Sequence, residues 1–145
     1  VVLSSHTGAL LKMLEDSEWQ VRYAAVRALG KVDQAVLSLH AGTLLKMLED
    51  SDSSVRKAAV EALGMLNQAM LSTYTDTLLK MLEDSEWQVR YAAVRALGKL
   101  DQAVLSTYTD TLLKMLEDSD SSARRRWRRW VSLTRRCSVR TPTPC

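Results

Sequence analysis

The sequence predicts an all-α chain of stacked two-helix units, and three observations carry that prediction. The octapeptide LLKMLEDS opens at Leu10, Leu44, Leu78 and Leu112, a fixed period of 34 residues and the signature of a stacked-repeat protein. Within each period the apolar residues fall twice into a 3.6-residue stripe. No proline interrupts residues 1–141.

The first helix of a unit is read as one helix from the stripe Leu71, Tyr74, Leu78, Met81 and Leu82. The second is read from Val89, Ala92, Ala93, Ala96, Leu97 and Leu100. Its apolar side is mostly alanine, which lets a neighbouring helix approach to the near end of the usual spacing of about 8–10 Å. In the turn between them, Ser85 and Gln88 have the capping-box spacing, as do Ser17 and Gln20. Ser51 and Ser119 keep the cap but are followed by Ser54 and Ser122. Gly30, Gly64 and Gly98 close the second helix, where glycine suits a C-terminal turn. Met13, Met47, Met81 and Met115 repeat one position, expected in the core.

The segments VRYAAVRALG at Val21–Gly30 and Val89–Gly98, and VRKAAVEALG at Val55–Gly64, resemble the second helix of HEAT repeats. Asp16 and Arg22, Asp50 and Arg56, Asp84 and Arg90, and Asp118 and Arg124 share one spacing. In that family such residues tend to form a ladder between successive repeats. The resemblance covers roughly residues 1–124. It implies a right-handed HEAT-like solenoid of about four units, with second helices on the inner, concave side, a usual partner surface. The Trp, Gly, Tyr and Pro pattern of tetratricopeptide repeats is missing.

The units are approximately 1–33, 34–67, 68–101 and an incomplete 102–122, followed by a tail at 123–145. Residues 10–38 and 78–106 differ only at Val32 and Leu100, and units two and four share LLKMLEDSDSS. Two units duplicated as a block, by recent duplication or by design, account for this. The chain begins inside a unit, without an initiator Met or a polar capping repeat, and reads as a fragment of a longer array. Its cysteine-free body fits a reducing compartment, the cytoplasm, and neither a signal peptide nor a membrane-spanning run is evident.

Charge divides the chain. Residues 1–120 hold 12 Lys/Arg and 17 Asp/Glu, whereas the remainder holds 8 Arg and no acid. In the tail Arg124, Arg125, Arg126, Arg128, Arg129, Arg135 and Arg136 are interleaved with Trp127 and Trp130. Arginine with tryptophan suits non-specific contact with single-stranded nucleic acid or an anionic membrane. A genetic account also fits. Codons permitted for Arg124–Cys145 spell AAVEALGKLDQAVLSTYTDTL in an overlapping frame, which is residues 92–112 with Glu in place of Arg95. The tail is therefore expected to be the next repeat translated out of frame. Its arginines would still attract phosphate, with affinity falling as salt rises.

Candidate binding residues lie off the apolar stripe of the second helix. Trp19, Tyr23 and Arg27 are spaced i, i+4, i+8 and share one face. Trp87, Tyr91 and Arg95 repeat them in unit three, with Lys57 among the unit-two equivalents. Trp, Tyr and Arg are enriched in interface hot spots, and the alternative is that the rings pad a joint between helices. Asp16, Arg22, Asp50, Arg56, Asp84 and Arg90 are assigned to the ladder.

Nothing indicates catalysis, a metal or a cofactor. There is no Ser/His/Asp or Cys/His set, no glycine-rich phosphate loop and no HExxH. The recurring Glu-Asp pairs fall in the inter-helix turns. His6 and His40 alternate with Tyr74 and Tyr108 at one repeat position, which marks packing. Cys137 and Cys145 have no histidine nearby and no CxxC spacing. Some HEAT-like repeats occur in lyase-related proteins of photosynthetic pigment attachment, but no residue set here supports that activity. The leading expectation is a scaffold binding another protein or peptide on its second-helix face. The alternatives are a basic-tailed module for nucleic acid or anionic membrane, and an array with no selected partner.

Overall fold

The computed structural model describes residues His6–Tyr108. The fourth unit beyond Tyr108, the boundary expected at residue 123 and the arginines from Arg124 onward lie outside the described residues. Among those described every regular element is helical. The second helices are α2 (Trp19–Leu29), α5 (Ser53–Leu63) and α8 (Trp87–Leu97), each 11 residues long. They pack side by side, α2 on α5 and α5 on α8.

The first helices are not continuous, contrary to the reading from periodicity. Unit two uses α3 (Gln34–Leu39) and α4 (Ala41–Met47), and unit three uses α6 (Gln68–Thr73) and α7 (Thr75–Lys80). A 3-10 turn, Met81–Glu83, follows α7. Unit one contributes α1 (Thr7–Met13), and α9 (Gln102–Thr107) begins unit four. The breaks fall at His40 and Tyr74, both near φ −100° with ψ at 12° and 13°, outside the helical well. Ser38 and Ser72 donate to carbonyls three residues back, and Thr75 Oγ1 donates to Ser72 O at 2.8 Å. Such back-bonding competes with the helix ladder and bends it.

The buried stripe of unit three is Leu71, Thr75, Leu78 and Leu82, and that of unit two is Leu37, Ala41, Leu44 and Leu48. Tyr74 and Met81, expected in the stripe, are only half-buried. Thr75 takes the inner place because its hydroxyl is already satisfied by Ser72. The methionine position is likewise not core. Met13 is 47% exposed, and Met47 and Met81 are half-buried, since a residue at that place lies one step off the stripe. The second-helix stripe is fully buried: Val89, Ala92, Ala93, Ala96, Leu97 and Leu100 are at most 5% exposed.

The capping box does not form. The N-caps are Glu18, Asp52 and Glu86, one residue later than the serines. Gln88 Oε1 is buried without a hydrogen bond instead of reaching back. Asp16, Asp50 and Asp84 order the turn by accepting the N–H two residues on, each at 2.9 Å.

The glycines also act differently from a left-handed C-cap. No described residue has positive φ, and Gly30, Gly64 and Gly98 stay in the right-handed helical region. A Cβ on Gly30 would stand 3.3 Å from Ala62 Cβ, and one on Gly64 would stand 3.2 Å from Ala96 Cβ. Glycine is there because the next second helix comes close.

Candidate binding face

On α5 and α8 the alanine-rich side is buried, and the predicted rows lie on the other side of each second helix. On α2 that side carries the first predicted row. Trp19 is 39% exposed, and its ring meets Tyr23 edge-on at 6.4 Å between centroids. The Arg27 guanidinium lies over the Tyr23 ring at 5.7 Å, a cation–π geometry. On α5 the equivalent places hold Lys57 and Glu61, whose charged ends are 3.9 Å apart. On α8, Trp87 and Tyr91 are half-buried and Arg95 is exposed.

Two shallow grooves border these rows on the alanine side. One, of about 330 Å³, is lined by Tyr23, Ala24, Arg27, Ala28 and Lys31. The other, of about 270 Å³, lies between α5 and α8, with Ala92 and Ala96 as floor and Glu61, Met65, Arg95 and Lys99 around it. Sequence spacing does not single out Lys31, Met65 or Lys99. They sit at or beyond the helix ends, so a stripe counted along one helix passes them by. Lys99 Nζ donates to Gly64 O at 2.6 Å, crossing from one unit to the next. Gln34 does the same with its side-chain amide, donating to Met65 O and accepting from Asn67 N.

The ladder residues lie elsewhere, in the turns that open the second helices. Arg22 Nε and Nη2 donate to the two Asp50 oxygens at 2.7 and 2.9 Å, across 28 residues. Its Nη1 donates to the carbonyls of Asp16 and Ser17 at 2.8 and 2.9 Å. Arg56 repeats the arrangement with Asp84 at 2.8 and 3.0 Å, and with the carbonyls of Asp50 and Ser51. The aspartate six residues back therefore contributes its carbonyl, and the carboxylate comes from the next unit. Arg90 Nη1 takes the carbonyls of Asp84 and Ser85; Asp118, at the following ladder position, lies outside the described residues.

The Arg22 hydrogen bond, against the opposing effect of burial, holds the Asp50 carboxyl below its ordinary value. At Asp84 burial pushes upward, but Arg56, the Glu86 N–H and nearby arginine charge outweigh it and the net direction is again down. A carboxylate with a depressed folded pKa contributes stability that is present above its unfolded pKa, about 3.9, and lost as pH falls through the folded value. The urea midpoint is therefore expected to fall as pH drops below about 4. An Asp50→Asn/Asp84→Asn variant should start lower and lose less with acid. Equal acid slopes for the two proteins would show that these carboxylates do not carry the dependence.

Among the described residues no group of three or more His, Cys, Asp or Glu is placed to hold a metal ion. No described helix is long and apolar enough to cross a membrane. His6 is exposed, and His40 and Tyr74 mark the helix breaks. Cys137 and Cys145 are outside the described residues.

Paired helices, side-by-side second helices and repeated polar links between units define a helical-repeat solenoid, a fold typical of protein-interaction scaffolds. The HEAT-repeat family model matches residues 7–73 and 41–131, and the chain belongs to that family. Its fold is similar to a chain in the complex of CpcE and CpcF of phycocyanin lyase from Nostoc sp. PCC7120. There the TM-score is 0.70 at 26% identity, over 85% of this chain and 78% of that one. An engineered protein matches with TM-score 0.66 at 22% identity, over 90% of this chain and 63% of that one. A designed armadillo repeat protein solved with the peptide (KR)4 matches with TM-score 0.59 at 21% identity, over 83% and 63%. No curated protein matches the chain.

Proposed function

We propose that this chain is a protein-binding scaffold whose contact surface is the exposed side of its second helices, centred on Trp19, Tyr23 and Arg27. The carrying observation is that this row is ordered without being core. Trp19 stays 39% exposed while its edge-on contact with Tyr23 and the arginine over that ring hold the group in place. A pre-ordered aromatic–arginine cluster loses little side-chain freedom on binding and matches the composition of interface hot spots. The solved relative at 26% identity is one member of a two-protein complex, which agrees with a scaffold role.

A random dodecapeptide library selected on the full chain supplies the test. Selected peptides should bind a Trp19→Ala/Tyr23→Ala variant at least about tenfold more weakly, with far-ultraviolet circular dichroism unchanged. Undiminished binding would remove this surface. A fall in helix content would instead assign the rings to packing.

A further inference from the structure

We draw no further inference here: the strongest candidate, the groove between α5 and α8 lined by Glu61, Met65, Arg95 and Lys99, belongs to the face already described, and nothing in the structure shows what covers it.

Discussion

Replacing Arg56 by alanine is expected to lower the unfolding free energy by roughly 2–3 kcal/mol. An exposed ion pair would contribute only about 0–1 kcal/mol, but this pair is not exposed. The side chains of Arg56 and Asp84 are 14% and 8% accessible. The guanidinium makes two hydrogen bonds to the Asp84 carboxylate and two to the carbonyls of Asp50 and Ser51. Alanine deletes all four and leaves a largely buried carboxylate facing apolar methyl. Removing one partner of a fully buried pair costs about 3–5 kcal/mol. Asp84 keeps the Glu86 N–H at 2.9 Å and some solvent, which places the expected value below that range. Arg56→Lys keeps the charge but not the fork geometry and should recover less than half of the loss. Urea unfolding followed by circular dichroism gives the number. A loss under about 0.5 kcal/mol would mean that solvent replaces the rung at little cost. The rung joins unit two to unit three, so the transition should also broaden as coupling between neighbouring units weakens.

The second large effect is expected at Gly64. A Cβ there would meet Ala96 Cβ at 3.2 Å, and valine adds two further methyl carbons to a contact already closed. Gly64→Val should destabilise by about 1–3 kcal/mol through overpacking. The control is Gly42, inside α4, where a methyl group would find nothing within 4 Å. Gly42→Ala should stabilise by about 0.5–1 kcal/mol, because alanine has less backbone freedom to lose on folding. Opposite signs at two glycines would separate close approach from conformational freedom. If both substitutions stabilise, α5 and α8 have room to move apart.

How much of this could be read from the sequence depends on how local each feature is. The second-helix stripe was fully legible, since Val89 through Leu97 combine helical spacing with a run free of glycine and proline. The break in the first helix was not. Leu37, Ala41, Leu44 and Leu48 keep helical spacing across His40, so periodicity runs through the discontinuity without registering it. Thr75 was missed because a polar residue does not count toward an apolar stripe, although its hydroxyl bond to Ser72 makes burial inexpensive. Gly64 was placed correctly at a helix end, but its reason lies in Ala96 of the following unit. Of the proposed binding face, spacing located the Trp19, Tyr23 and Arg27 row, while Lys31, Met65 and Lys99 border its grooves from beyond the helix ends.

Arg22 reaches Asp50 and Arg56 reaches Asp84 over the same 28 residues, and Gly30 and Gly64 each meet the corresponding alanine of the next unit. Both junctions are thus written in the same residues, and no side chain in them records which copy it belongs to. Whole repeats could enter or leave by unequal recombination, and each of these arginines and glycines would keep an identical partner. A shift of a single residue between an arginine and its aspartate would instead break the rung and the glycine contact together. The array is tolerant of changes in copy number and intolerant of changes in phase.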